Sequence, residues 1–334
     1  MKRLTLNEIG TLAGVSRATV SRVINNYPHI TPEVRERVQK IVQETGFQPN
    51  RIARSLVSDR SGIIGLVIPS DVRAVFSDPY FARLIQGITR ATNRRKLTLS
   101  LFLFHSIEEE TETTRSILTT GLLDGLIITA DRKEDPLLAQ LAGHDLPFIV
   151  IGRPDSTANL LYVNADNVQG AFMATQHLIS LGRQRIAIIV SDQNTAGQDR
   201  YMGYRNALQT YNMNFDAGLV AFGDFSLESG YEAMQQLIPQ KPDAVFVSSD
   251  TMALGAQRAI REAGLRMPHD IAIVGFDDLP PAIHGEPQLT TIRQPIEQMG
   301  IVAVDLLSDI LDGTIKSLVP IILPVELIIR ASSS

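Results

Sequence analysis

Two kinds of hydrophobic spacing divide the chain. Up to about residue 46 the apolar positions recur every three or four residues, the period of short amphipathic helices. Thr5 and Glu8 have capping-box spacing, and Ile9, Leu12 and Ala13 give one helical face. Gly14 supplies a residue that accepts the left-handed turn ending a helix. Ser16 is placed to cap a second helix, Arg17 to Asn25, with Val20, Val23 and Ile24 inward. Arg17, Ala18, Ser21 and Arg22 then face outward. Thr31-Pro32-Glu33 opens a third helix with a hydroxyl cap, a proline first and an acid at the positive dipole end. Val34, Val38, Ile41 and Val42 form its buried stripe, and Gly46 stops it. Helices joined by so tight a glycine turn make a helix-turn-helix.

After Ser61-Gly62 the pattern changes to short, fully apolar runs alternating with helical stretches. Strands are expected at Ile63–Ile68, Leu97–Phe104, Gly125–Thr129, Phe148–Ile151, Ile186–Val190, Ala244–Val247 and Ile271–Val274. Amphipathic segments such as Phe81–Asn93, Thr113–Thr120, Val168–Leu181 and Tyr201–Tyr211 lie between them. Runs apolar on both faces must be covered on both, which calls for parallel sheets with crossover helices. Two consecutive sets imply two lobes. The expected fold is therefore a small all-α helix-turn-helix head followed by an α/β body of two doubly wound parallel-sheet lobes. Ligands of such sheets sit beyond the carboxyl ends of the strands, here in the cleft between lobes.

Charge sharpens this division. The 334 residues carry a net charge of −5. Residues 1–60 hold ten Lys and Arg against five acids, or +5; the rest hold 21 against 31, or −10. A basic head on an acidic body points to a polyanion as the partner of the head. At the start of a recognition helix Arg17 can bond guanine O6 and N7 in a bidentate manner, and Arg22 can do the same or bind phosphate.

Ala13-Gly14-Val15-Ser16-Arg17-Ala18-Thr19-Val20-Ser21-Arg22-Val23-Ile24-Asn25 resembles the N-terminal signature of the lactose/galactose repressor family. Pro49-Asn50-Arg51-Ile52-Ala53-Arg54-Ser55-Leu56 resembles that family's hinge helix. The resemblance implies a bacterial repressor in which a homodimer grips a pseudo-palindromic double-stranded operator. It implies DNA contacts from Thr5, Leu6, Ser16, Arg17, Ala18, Thr19, Ser21, Arg22, Asn25 and His29 in the head. From the hinge it implies contacts by Asn50, Arg51, Ala53, Arg54 and Leu56. In the family the hinge folds on operator binding, and a leucine matching Leu56 wedges into the central step. An apolar side chain inserted between bases kinks a duplex in this way. The base-reading pair corresponds to Arg17 and Ala18, where the lactose repressor has other residues, so the operator sequence does not carry over.

The resemblance extends over the body, which in the family is similar to periplasmic sugar-binding proteins whose chain crosses between lobes three times. Crossings are expected near 161, 292 and 325. The implied organisation is a DNA-binding domain at 1–48, a hinge and linker at 49–60, and an effector-binding and dimerisation domain at 61–334. Lobe one covers 61–161 and 293–324, lobe two 162–292 and 325–330. Strand-end residues and family motifs then nominate a cleft of Tyr80, Phe81, Arg153, Arg200, Phe225, Asp250, Asp277 and Gln294. Asp250 is equally a candidate helix cap. Arginine, aspartate and glutamine beside an aromatic face suit a sugar: planar donors and acceptors for hydroxyls, with a ring on the apolar C–H edges. Gly-Arg-Pro at 152–154 and Asp-Arg-x-x-Gly-Tyr at 199–204 are similar to regulators that respond to glucosides such as maltose. A purine, or a phosphoprotein corepressor, fits the same architecture and stays open.

Composition closes other routes. With no cysteine there is no disulfide framework, thiolate zinc site or cysteine nucleophile. The chain has no Gly-x-Gly-x-x-Gly, Gly-x-x-x-x-Gly-Lys-Ser/Thr or Gly-x-Ser-x-Gly motif, and its six histidines are scattered without metal-ligand spacing. No enzyme activity, cofactor or metal is expected. No run of about 18 apolar residues suits a membrane span. The polar start does not read as a secretory signal, so the cytoplasm, at the bacterial nucleoid, is the expected location. An exported solute-binding protein would share the body but lack the basic head. The chain ends soon after its last expected strand, without an added leucine heptad, so the expected assembly is a dimer.

Overall fold

The computed structural model describes residues 4–24, 27–47, 60–130, 132, 135–141, 143–155, 160–314 and 319–334. The chain forms two compact units, Met1–Gly62 and Ile63–Ser334. The hinge candidates Asn50, Arg51, Ala53, Arg54 and Leu56, and Asn25 in the head, lie outside the described residues.

In the first unit, α1 (Leu6–Ala13), α2 (Arg17–Ile24) and α3 (Pro32–Thr45) enclose a core of Ile9, Ala13, Val20, Val23, Val38 and Phe47. The Thr5 hydroxyl accepts from the Glu8 amide at 3.3 Å, and the Thr5 amide donates to Glu8 Oε2 at 2.6 Å. Such a reciprocal cap satisfies two donors that the first turn would leave open. Gly14 ends α1 at φ 64°, in the left-handed region where a Cβ is costly. Leu12 departs from its expected inward place and is 56% exposed. The buried face of α1 is centred between Ile9, Ala13 and Gly10, and at 100° per residue Leu12 falls on its far flank. Thr31 stands at the cap position of α3 but makes no capping bond with its side chain, and Pro32 behind it has no N–H to satisfy.

The second unit holds two six-stranded sheets. The first is built from β1 (Ile63–Asp71), β2 (Thr98–Phe104), β3 (Gly125–Thr129), β4 (Phe148–Ile151), β5 (Tyr162–Ala165) and β11 (Ile321–Leu323). Their order is β11-β5-β4-β3-β1-β2, and every pairing is parallel. The second holds β6 (Ile186–Val190), β7 (Val220–Phe222), β8 (Ala244–Val247), β9 (Ala272–Asp277), β10 (Thr290–Arg293) and β12 (Glu326–Ile328), in the order β12-β10-β9-β8-β6-β7. It is parallel except for the antiparallel edge pair β10–β12. The central strands β3, β6 and β8 are buried at every position, which is why they read as unbroken apolar runs. β5, β7, β10, β11 and β12 are three or four residues long and carry too little pattern to be read in advance.

Helices α5 (Pro79–Arg94) and α13 (Ile296–Leu311) pack together in lobe one, whose core joins Ile64, Leu66, Leu84 and Ile88 to Met299, Val304 and Leu307. In lobe two, α8 (Asn167–Ser180) and α9 (Thr195–Thr210) cover one region of the sheet, and α10 (Leu227–Leu237) pairs with α11 (Asp250–Glu262). The crossings shift slightly from expectation. Tyr162–Ala165 hydrogen-bonds into the first sheet, so the first crossing follows Ala165 instead of 161. Arg293 pairs with Asp277 in the second sheet, so the next crossing falls at Gln294-Pro295 instead of 292. The third lies between β11 and β12, where Val325 packs on the cores of both lobes. Strand pairing decides membership, and a four-residue strand with one half-buried tyrosine gives no local sign of which sheet it joins.

Candidate functional site

The surface of the head follows from the packing of α2. Val20 and Val23 point into the core, which leaves Arg17, Ala18 and Arg22 exposed and Thr19 and Ser21 half-buried. Ser16 Oγ accepts from the Thr19 amide at 3.1 Å and pairs with the Thr19 hydroxyl at 2.9 Å, fixing the start of the helix. The first turn holds no acid, so the positive end of α2 and the Arg17 guanidinium meet solvent on one side. His29 is exposed in the turn before α3. Leu6 is half-buried against the core, and the Thr5 hydroxyl is held by Glu8.

The cleft of the second unit is assembled at strand ends. β9 runs to Asp277, beyond the expected end at Val274, and delivers that carboxylate at φ 122°, followed by Asp278 at φ 59°. Both angles are costly for residues with a Cβ, and such strain gathers at functional sites. Gln294, at the crossing, donates to Asp277 Oδ1 at 2.6 Å, and its amide donates to the Asp277 carbonyl at 3.3 Å. Arg200 on α9 lies beside this pair, its Nη1 3.8 Å from Asp277 Oδ1. Its Nε donates to Asn167 Oδ1 at 2.9 Å, Nη1 donates to the Ser248 carbonyl, and the guanidinium stacks 3.9 Å from the Phe276 ring centre. The arginine is 5% exposed and Asp277 7%, so both charges are held by protein groups.

Electrostatics single out the same floor. Burial pushes the Asp277 carboxyl up, to about 7; the Arg200 guanidinium opposes the rise and Asp78 adds to it. Burial likewise raises Asp78, held back by its bond from the Tyr80 amide at 2.9 Å and by Arg200. Asp78 caps α5 in lobe one, so groups of both lobes contribute to the field at Arg200 and Asp277. A cavity of about 330 Å³ opens beside the floor, lined among others by Arg83, Arg90, Asp277, Arg293 and Gln294.

The remaining candidates divide. Tyr80 is half-buried and sets its ring edge-on to Phe81, but Phe81 itself is 6% exposed and belongs to the lobe-one core. Phe225 stands in the left-handed region at φ 71°, half-buried against the lobe-two core. Asp250 spends both oxygens on protein: Oδ1 accepts from the Thr291 hydroxyl at 2.6 Å and Oδ2 from the Leu279 amide at 2.9 Å. It is fully buried, and burial beside Asp277 raises its carboxyl well above the ordinary range. Arg153 forms a bidentate pair with Asp199, Nε to Oδ2 at 3.0 Å and Nη2 to Oδ1 at 2.7 Å. Sequence reasoning missed Asp78, Asn167 and Asp199. Asp78-Pro79 carries a helix-cap signature that could have marked the first, whereas Asn167 and Asp199 gain meaning from what faces them.

Residues 5–50 match the model for bacterial regulatory proteins of the lacI family, and 175–333 match that of a periplasmic binding protein-like domain. Over 336 residues the sequence is 38% identical to the HTH-type transcriptional regulator CelR of Thermobifida fusca, covering 99% of this chain and 98% of that one. The chain belongs to the lacI family. A transcriptional regulator CelR–cellobiose complex superposes with a TM-score of 0.80 at 36% identity, covering 99% of this chain and 100% of the other. The lac repressor dimer bound to operator and the anti-inducer ONPF gives 0.86 at 28% identity, with 99% of each chain covered. This lacI-family chain is a DNA-binding transcriptional regulator with an effector domain, and the relatives it matches are regulators.

Proposed function

We propose that the chain is a repressor that grips a pseudo-palindromic operator as a homodimer and releases it when a neutral glucoside such as cellobiose fills the cleft. The division of labour is a DNA-binding head at 1–48, a hinge at 49–60 and an effector-binding body from 61 onward. Arg17 and Ala18 meet base edges in the major groove, Arg22 and Ser21 support them, and Leu56 wedges between the half-sites. A two-fold protein on a two-fold site follows from symmetry. The family's lac repressor dimer on its operator supports this assembly.

The observation that carries the effector reading is the cleft floor. Asp277, held by Gln294 and facing Arg200, offers a carboxylate beside a planar donor, and Tyr80 and Phe225 are the aromatic faces assigned to the ligand on this reading. A carboxylate and a guanidinium side by side nearly cancel in charge, which gives an ionic ligand little advantage and suits hydroxyl groups that both donate and accept. The CelR complex with cellobiose supports a disaccharide of glucose as the first molecule to try. We place the regulator in the cytoplasm and assign it no catalytic step; among the described residues no helix is long and apolar enough to cross a membrane.

Ligand and operator are coupled reciprocally if both bias one lobe arrangement. Titrating the full chain with cellobiose by calorimetry, with and without a selected operator duplex, measures that coupling. We expect cellobiose to bind and to weaken operator affinity by about 5- to 150-fold, with DNA weakening cellobiose by the same factor. Operator affinity that stays constant at saturating cellobiose overturns the inducer assignment.

A further inference from the structure

We infer that Arg153 is a clasp between the two lobes, set against the first turns of α9, and not a ligand-contacting residue. Arg153 follows β4 and precedes β5, both strands of the lobe-one sheet. Asp199 and Thr195 belong to α9, which packs on α8 and β6 of lobe two. Three hydrogen bonds join these places. Two form the bidentate guanidinium–carboxylate pair at 3.0 and 2.7 Å, and the third runs from the Thr195 hydroxyl to the Arg153 carbonyl. One residue of lobe one is thus gripped through its side chain and its backbone by one helix of lobe two.

The grip is built. Asp199 is 7% exposed and Thr195 2% exposed. A paired fork of this kind fixes orientation as well as distance, which a single flexible contact does not. The start of α9 is itself anchored, since Asn194 Oδ1 accepts from the Gly197 amide at 3.0 Å and a Cβ at Gly197 would lie 1.9 Å from the Ser191 carbonyl oxygen. Gly152, at φ 91°, turns the chain immediately before Arg153. Both ends of the clasp therefore rest on backbone that has little freedom to follow the other lobe if the lobes separate.

Position along α9 gives the clasp its consequence. Asp199 reaches across to Arg153, while the next residue, Arg200, reaches the cleft floor at Asp277 and the Ser248 carbonyl. A single peptide bond joins the contact that sets lobe separation to the cation beside Asp277. Opening the clasp moves the Arg200 backbone relative to lobe one, so Arg153 acts as a positioning residue for the regulatory transition. It sets the equilibrium between closed and open lobes without touching the effector, and the inference does not depend on which molecule the cleft binds.

The test uses the full chain without ligand. Having no cysteine, it takes spin labels at two introduced ones, Glu112→Cys on lobe one and Asn206→Cys on lobe two, both at exposed positions. The labelled chain is diluted into unlabelled chain so that distances within one protomer dominate, and pulsed electron paramagnetic resonance reads the lobe separation. We expect Arg153→Gln, Asp199→Asn and the double variant each to shift population from the short to a longer distance. The double variant should do no more than either single one, because the two residues act through one contact. It leaves no charge unpaired, so it keeps the test open if either single variant folds poorly. A double variant with the distance distribution of the parent chain overturns the clasp.

Discussion

Asp277 shows how one residue inherits its chemistry from its surroundings. On a free peptide its carboxyl would titrate near the ordinary value of 3.8, but burial at the end of β9 lifts it to about 7, with Arg200 restraining the rise. The folded protein therefore keeps a proton that the unfolded chain has already lost. The associated stability is complete below pH 3.8 and is lost as the pH climbs to about 7, at ~1.4 kcal/mol per pH unit for one proton. Asp277→Asn should flatten the dependence of melting temperature on pH between 5 and 7.5 and should melt above the parent chain at pH 8. Parallel melting profiles for the two proteins would show that this carboxyl does not titrate in that window. Asp277 and Gln294 were legible in the sequence because polar residues at strand ends of a doubly wound sheet converge, and Arg200 because its motif matches the family's. Arg153 was read in the sequence as a cleft candidate and not as the partner of Asp199, since that pairing joins residues 46 positions apart in the chain.

At the scale of elements, the lobes owe their shape to glycines where helices touch. A Cβ at Gly87 on α5 would fall 2.1 Å from the Glu297 carbonyl oxygen of α13, and one at Gly203 on α9 would fall 2.2 Å from the Val168 oxygen of α8. In the α10–α11 pair the device is reciprocal: Gly230 faces the Met252 oxygen at 2.1 Å and Gly255 the Leu227 oxygen at 2.0 Å. Backbone on both sides cannot rotate away as a flexible side chain would. Gly255→Ala must therefore separate two helices, and it should cost about 1–3 kcal/mol or more, read as a lower urea midpoint at unchanged slope. Gly143→Ala, whose new Cβ would meet its nearest neighbour at 3.8 Å, serves as the neutral comparison. An unchanged midpoint for Gly255→Ala would mean that the helices can part at no cost. None of these contacts shows in the hydrophobic pattern, where a glycine inside a helix reads as a mere weakness.

Across the whole molecule, charge is segregated with function. The first 60 residues carry +5 and the remainder −10. On the proposed function, operator binding by the head displaces counterions from DNA, whereas a neutral sugar in the cleft would displace none. Operator affinity should then fall by about 10³–10⁵ between 50 and 200 mM salt, for six to ten phosphate contacts per dimer. Cellobiose affinity should stay nearly constant over the same range, and titrations at four salt concentrations read both slopes. Equal slopes would remove the division of labour between head and cleft.

The sequence by itself determined the elements that rest on local periodicity: the three helices of the head with the caps of α1 and α2, the outward face of α2, and the long apolar strands at the centre of each sheet. It also determined the class of protein, because a basic helix-turn-helix joined to a two-lobed α/β body is written in runs of adjacent residues. Tertiary structure alone decided the rest. The short strands β5 and β10 take their place from neighbours they could not predict, which moved the crossings to Ala165 and Gln294. Asp250 became a brace for β10 and the Leu279 turn, Phe81 a core residue, and Arg153 a partner of Asp199. The physical reason is the same in each case: periodicity reports which face of an element is buried, but a polar side chain takes its role from the group it meets, and that group comes from a distant part of the chain.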